Sequence, residues 1–432
     1  MTRKIGLLLT LITVCSLRAA EPARVVSWTA SSHGPAPSGN AVAQPELQNV
    51  LPGNAAEDQT FRLTVKPDLW GRFARLRFSN VFGSAPVTFD GVYAGLHASA
   101  GSLIPGTNLP VRFGGKASVT VAPGKLVYSD PVDLEFAGQD LTGRKLAVSF
   151  HVVGRSGPMT WHAKAMTTSY ISPPGSGSHG AEESSQAFPF TTTSWYFLDA
   201  IDVMGPCGAQ ATVAFGDSIT DGTNSTINGD DRWPDFLSQR VHAKYGAQVA
   251  VVNAGIGGNQ VTGPAVYDTS KPPGGGPSAL ERMDRDVLSL PSVTTVIWLE
   301  GINDLGSSGA SAESVIDGLR KGVARLHERK IRVIGATIVS SLKSTPTHGT
   351  PDVDAKRKTI NEWIRHGGLF DGVADFDAAT LDPVTGTLRA EFQPGSSTGG
   401  PGDRLHPNRA GYQAMANAID LKQLGHSTCN SQ

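Results

Sequence analysis

ATVAFGDSITDG, residues 211–222, is an apolar run that ends abruptly in glycine, aspartate and serine before a polar turn. A continuous apolar run of this length reads as a buried strand, and the Gly216-Asp217-Ser218 step reads as its junction with a helix. Downstream the same alternation recurs. Helical pattern DFLSQRVHAKY (235–245) leads to strand QVAVVNAG (248–255), helix SALERMDRDVL (278–288) to strand TTVIWLEG (294–301), and helix SAESVIDGLRKGVARLHER (311–329) to strand IRVIGATIV (331–339). Helix DAKRKTINEWIRHG (354–367), strand GVADFD (372–377) and helix NRAGYQAMANAI (408–419) complete the series. In 311–329, Val315, Leu319, Val323 and Leu326 mark one helix face. Repeated strand–helix units predict an α/β domain, a parallel sheet covered by helices on both sides, over 206–432.

Upstream, from 21 to 205, the period is different. RFARLRFSN (72–80), VTFDGVYAGLHA (87–98), KASVTVAPG (116–124), KLAVSFHVVG (145–154) and SWYFLDAIDV (194–203) are short alternating runs between Gly, Pro, Ser and Asp turns. They predict an all-β sandwich. Four of the seven tryptophans (Trp28, Trp70, Trp161, Trp195) fall here. Buried, they are sandwich core; exposed, they are a platform for stacking sugar rings. SPPGSGSHGAEESSQ (172–186) predicts a mobile surface loop.

MTRKIGLLLTLITVCSLRAA (1–20) has a basic start, an apolar run and small residues at its end, as a secretory signal peptide does. The run is too short to span a bilayer, which needs about 20 apolar residues. The predicted location is therefore secreted or periplasmic, without stable membrane insertion. Past the leader, two cysteines remain, Cys207 and Cys429. In an oxidising compartment a disulfide between them would pin the C-terminal tail, worth on the order of 4 kcal/mol in the chain-entropy picture. Alkylation without reductant checks the pairing, since two modified cysteines would exclude it.

Composition narrows the function classes. Gly (50) and Pro (28) are in excess, only 17% of the 432 residues are charged, and the formal net charge is −1. Such a chain offers no electrostatic footprint for nucleic acid, and it is too apolar for intrinsic disorder. The expectation is a monomer with no nucleic-acid partner, acting on a small-molecule or polysaccharide substrate.

In open parallel sheets, ligands bind outside the carboxyl ends of the strands. Four segments converge there: Gly216-Asp217-Ser218, Asn253-Ala254-Gly255-Ile256-Gly257-Gly258-Asn259, Gly301-Ile302-Asn303-Asp304 and Asp403-Arg404-Leu405-His406-Pro407. A serine at a strand-to-helix junction is placed to be a nucleophile. Among the six histidines of this half, only His406 has a carboxylate three residues earlier, Asp403, able to fix its tautomer. His242, His327 and His366 read as surface residues, and His348 as a weak competitor. Oxyanion donors would be the backbone N–H groups of Ser218 and Gly258 and the side-chain amide of Asn303.

Other readings fit less well. A dinucleotide loop would need glycine at Gln260, and the α/β-hydrolase elbow would need it at Thr220. Asp217, Asp304, Asp375 and Asp377 could form a metal cluster, but strand-end aspartates more often cap loops, and neither HExxH nor a Cys/His ligand pair is present. No metal and no cofactor are expected.

VAFGDSITDG, NAGIGGN, GINDL and DRLHP occur in order over about 200 residues, and together they resemble the SGNH hydrolase superfamily, the GDSL-type lipases and esterases. The resemblance implies a flavodoxin-like three-layer α/β/α fold with Ser218 as nucleophile, Gly258 and Asn303 as oxyanion donors, and Asp403 and His406 completing a triad. Ile219 replaces the leucine of the name motif, which alters packing and no chemistry. Related secreted bacterial esterases pair such a domain with a β domain. The expected function is a serine esterase acting through an acyl-enzyme, on short acyl groups such as acetyl, including those on polysaccharide. Its rivals are a non-catalytic carbohydrate-binding protein and a lipase for longer chains.

Overall fold

The structure, a computed structural model, describes residues 24–44 and 46–424. Residues 1–20, expected above to be a signal peptide, and Cys429 lie outside the described residues, so the proposed disulfide does as well; Cys207 itself is not a free side chain.

The alternating runs of the first half become antiparallel strands. Leu198–Met204 pairs with Arg24–Thr29 on one side and Phe73–Ser79 on the other, within a five-stranded sheet. Leu146–Arg155 lies between Glu57–Val65 and Val87–Ser99 in an eight-stranded sheet. The period of two turns Phe61, Phe89 and Phe150 of the larger sheet toward Phe78 of the smaller one. Phe78 sits 5.1 Å from Phe89 and 5.3 Å from Phe150, centroid to centroid. Each such ring, fully buried, contributes roughly 1.5–3 kcal/mol by leaving water. This contact makes the β half a sandwich.

Two expectations change here. The stretch 172–186 is tied down across the outer face of the larger sheet. Buried Arg62 donates to the carbonyls of Gly101 (2.7 Å), Ser184 (3.1 Å) and Glu182, and Thr60 Oγ1 donates to Gly177 O (2.8 Å). A guanidinium has five donors, so one arginine can hold several backbone segments at once. The tryptophans also divide. Trp28, Trp161 and Trp195 are buried, with Trp28 edge-on to Trp195 at 4.9 Å. Only Trp70 of the four is half-buried, in a groove lined by Gln139, Asp140 and Gln239.

After Met204 the chain turns and starts a parallel sheet. Its strands are β1 (Gln210–Gly216), β2 (Val249–Gly255), β3 (Val293–Leu299), β4 (Arg332–Ala336) and β5 (Gly372–Ala374), in spatial order β2-β1-β3-β4-β5. That is the flavodoxin-like order, with its switch point between β1 and β3. The helices are α1 (Ser218–Asp221), α2 (Trp233–Tyr245), α3 (Ala279–Met283), α4 (Ile302–Ser307), α5 (Ala312–Glu328), α6 (Pro351–His366), α7 (Phe376–Thr380) and α8 (Arg409–Asn417). Strand alternation separates the two layers. Ala214 and Ile297 pack with Trp233, Leu237, Tyr412 and Met415, whereas Val213, Val296 and Trp298 pack with Val315, Leu319, Val323 and Ile360. Ile219 is buried in the first of these layers, so its departure from leucine is a matter of packing.

The segment 278–288 is helical, and its hydrogen bonding changes along its length. After α3 comes a π turn, Asp284–Leu288, in which Asp286 lies between Arg282 and Arg285. Arg282 and Asp286, four residues apart, lie on the buried face with Met283 and Val287. His242 likewise is no free surface residue: its Nε2 is 3.0 Å from Asp68 Oδ2, across the boundary between the halves. Arg77 crosses it too, paired with Asp199 at 2.6 Å and donating to Ser289 Oγ at 2.9 Å.

Candidate active site

β1 must end in glycine, because a Cβ on Gly216 would lie 2.2 Å from the Leu299 carbonyl oxygen. Asp217 then caps α1 by accepting from Ile219 N at 2.9 Å, and Ser218 is the first residue of the helix. Its Oγ lies 2.8 Å from His406 Nε2. On the other side of the ring, Nδ1 lies 2.6 Å from Asp403 Oδ2. Asp403 Oδ1 accepts from the backbone N–H groups of Leu405 and His406, both at 2.9 Å. Burial opposes the charge on Asp403, but the imidazole and the two N–H groups outweigh it and hold the carboxyl well below its ordinary value. Asn224 Nδ2 donates to His406 O at 3.2 Å, steadying the turn. The three residues that the spacing singled out thus form one hydrogen-bonded chain, in the order a nucleophile, its base and the base's orienting acid require.

Gly258 and Asn303 face the same rim. Gly258 has φ +82°, in the left-handed region where L side chains are strained. Asn303, buried in the first turn of α4, donates from Nδ2 to Asn259 O at 2.9 Å, which leaves its second amide hydrogen for an oxyanion. His348 Nε2 is 3.2 Å from Asn303 Oδ1, and its Nδ1 is 2.9 Å from Thr347 Oγ1. Burial, together with His406, lowers the His348 pKa. A neutral ring donating from Nε2 satisfies both contacts and fixes which end of the Asn303 amide is NH₂. The histidine that competed for the role of base therefore lies against Asn303.

Three supporting residues escaped the sequence reading. Arg282, fully buried, donates to Gly216 O (2.9 Å), Ala254 O (2.7 Å) and Asn259 Oδ1 (2.7 Å), lacing the ends of β1 and β2 to the Gly258 loop. Only its position on the apolar face of 278–288 hinted at this. Asp221 accepts from Gly257 N at 3.0 Å. His162, from the β half, reaches the other oxygen of Asp221 at 3.1 Å; no periodicity links residues so far apart.

The acids weighed as a metal cluster are separately engaged. Asp304 accepts from Val261 N (2.8 Å) and Thr262 N (3.1 Å), while Asp375 and Asp377 bind Arg365, and Asp377 also binds Arg357. Burial pushes Asp217 up to about 7 and Glu300 up to about 8.

Residues 214–414 match the GDSL-like Lipase/Acylhydrolase family. Solved structures similar to the chain include a member of the lipolytic protein G-D-S-L family from Veillonella parvula, with 21% identity over 49% of this chain and 96% of that one and a TM-score of 0.35. A lipase/acylhydrolase from Enterococcus faecalis has 22% identity over 49% and 93%, TM-score 0.35. An acetyl xylan esterase has 20% identity over 48% and 96%, TM-score 0.34. No curated protein matches the chain.

Proposed function

Residues 214–414 belong to the GDSL-like lipase/acylhydrolase family, and from that premise we propose that this protein is a serine esterase, secreted or periplasmic, cleaving short acyl groups from small-molecule or polysaccharide esters. The observation that carries the reading is the unbroken chain from Ser218 Oγ through His406 to Asp403.

In this reading Ser218 Oγ attacks the ester carbonyl while His406 Nε2 takes its proton. The tetrahedral oxyanion is met by the N–H groups of Ser218 and Gly258 and by Asn303 Nδ2. His406 then protonates the leaving alkoxide, and the acyl group stays on Ser218. Water, deprotonated by the same imidazole, attacks the acyl-enzyme, and the acid departs as the proton returns to Ser218. Asp403, ionised, stabilises the imidazolium of both half-reactions.

Short acyl groups are favoured by what frames the site. Of the three flanking loops, 261–280, 340–352 and 393–402, Val266 is the one large apolar side chain left exposed among the described residues. A long hydrocarbon chain would find little surface to bury.

The test is a panel of acetyl, butyryl and palmitoyl aryl esters with Ser218→Ala as control. Activity should fall with chain length and vanish in the variant. Retained turnover by folded Ser218→Ala would exclude the mechanism, and a preference for palmitoyl would exclude the acyl assignment.

A further inference from the structure

His162 belongs to the β half, yet it sits fully buried against the helix that carries Ser218. Its surroundings fix its charge. Nδ1 lies 2.7 Å from the Ser31 carbonyl oxygen, while Nε2 lies 3.1 Å from Lys164 O and 3.1 Å from Asp221 Oδ1. All three neighbours are acceptors, so both ring nitrogens must carry hydrogen, and the ring is an imidazolium. The neighbouring ring, His33, is different: its Nδ1 accepts from Ala163 N at 3.2 Å, and burial drives its pKa down to about 3. Lys164, on the same segment as His162, donates from Nζ to Thr223 Oγ1 at 2.9 Å.

Asp221 passes this contact on in two directions. It closes α1, three residues after Ser218, with its N–H bonded to Asp217 O at 2.9 Å. Its second oxygen accepts from Gly257 N at 3.0 Å, immediately before the oxyanion donor Gly258. A single carboxylate thus sets the distance between the nucleophile's helix and the oxyanion loop, and the imidazolium holds that carboxylate.

Resting on the esterase reading above, we propose that His162 is a positioning residue for ester hydrolysis. Through Asp221 it keeps the Gly257–Gly258 segment in register with Ser218, so the catalytic centre is a composite of both halves. The β half then acts in catalysis and is not only a module for adhesion or solubility. A buried pair of this kind leaves an uncompensated charge when one partner is removed, and the remaining partner seeks other contacts. The bond that Asp221 keeps is the one to Gly257, so the disturbance reaches the oxyanion loop.

The experiment compares His162→Ala, His162→Gln, Asp221→Ala and the double variant His162→Ala/Asp221→Ala in the full chain, using an aryl acetate. Thermal unfolding is measured alongside, with Thr168→Ala as an interface control that removes a hydrogen bond to Asn228. His162→Ala should lose about ten- to a hundredfold in kcat with KM within about twofold, since one misplaced oxyanion donor costs about 10²–10³ at most. Gln, whose amide can still donate to Asp221, should restore part of kcat. The double variant should be no worse than either single one, as expected for residues acting as a unit. Thr168→Ala should keep wild-type kcat. Wild-type kcat in folded His162→Ala, a loss confined to KM, or strictly multiplicative losses in the double variant would overturn the proposal. If His162→Ala does not fold, His162→Leu, which fills the space but has no donor for Asp221, carries the test: wild-type kcat with a lowered melting temperature would overturn the proposal. Ser218→Ala in the same assay separates the two claims, because its retained turnover sinks the esterase reading, whereas its silence beside a fully active His162→Ala sinks only this one.

Discussion

Gly275 has no side chain, and the Gly258 segment packs where one would stand. A Cβ there would lie 2.1 Å from the carbonyl oxygen of Gly258 and 3.1 Å from Asn259 N. Both are backbone atoms that cannot swing aside. Gly275→Ala should therefore displace the oxyanion loop and lower kcat by at least about tenfold, within the cost of losing one donor. Gly274→Ala, where a Cβ meets open space, should leave aryl acetate turnover unchanged; equal effects of the two would refute the steric account. The need for a small residue at Gly258 was legible in its motif. The need at Gly275 was not, because the contact joins two loop segments that no periodicity relates.

At the scale of elements, α5 was legible because its apolar residues recur at the helical period and its buried face follows that period. The segment 172–186 was misread for a physical reason. Its composition of Gly, Pro and Ser describes a chain with no apolar anchor of its own, and what orders it is the guanidinium of Arg62 on a strand more than a hundred residues away. A buried cation bound to backbone carbonyls leaves no signature in the segment it orders. Arg62→Ala should free this segment, and limited proteolysis should then cut within 172–186 in the variant under conditions that leave the wild type intact. Equal resistance would mean that the strand hydrogen bonds nearby suffice.

For the whole molecule, buried ionisable groups set how stability depends on pH. Glu300 is raised to about 8 and Asp217 to about 7, chiefly by burial. An acid whose folded pKa is raised binds its proton more tightly when folded, so its contribution is present at low pH and is lost as pH climbs to the folded value. His162 is raised as well: burial works against its charge, and Asp221 and the carbonyls of Ser31 and Lys164 prevail. Its contribution is complete below the ordinary histidine range and disappears as pH rises through the raised value. Asp286, lowered to about 2, and Asp403 and Asp221, also lowered, act oppositely, losing their contribution only as pH falls below the ordinary carboxylate range. The melting temperature should therefore be highest near pH 4 to 5, just above the ordinary carboxylate range, and decline from there to about pH 8. A calorimetric series from pH 4 to 9 that rises monotonically would contradict this assignment. The division into two halves was readable from the change of period near Gly205; the charged contacts that join them were not, since pairs such as His162 and Asp221 announce themselves only once the sheets have packed.

The His162 ring is sealed from solvent with both of its nitrogen-bound hydrogens engaged, a condition under which such protons exchange slowly with water. They are natural reporters for proton magnetic resonance, visible far downfield of the amide region. Because one of them points at the β half and the other at the catalytic half, the pair of signals registers whether the two halves are seated together, in a sample that contains no substrate at all.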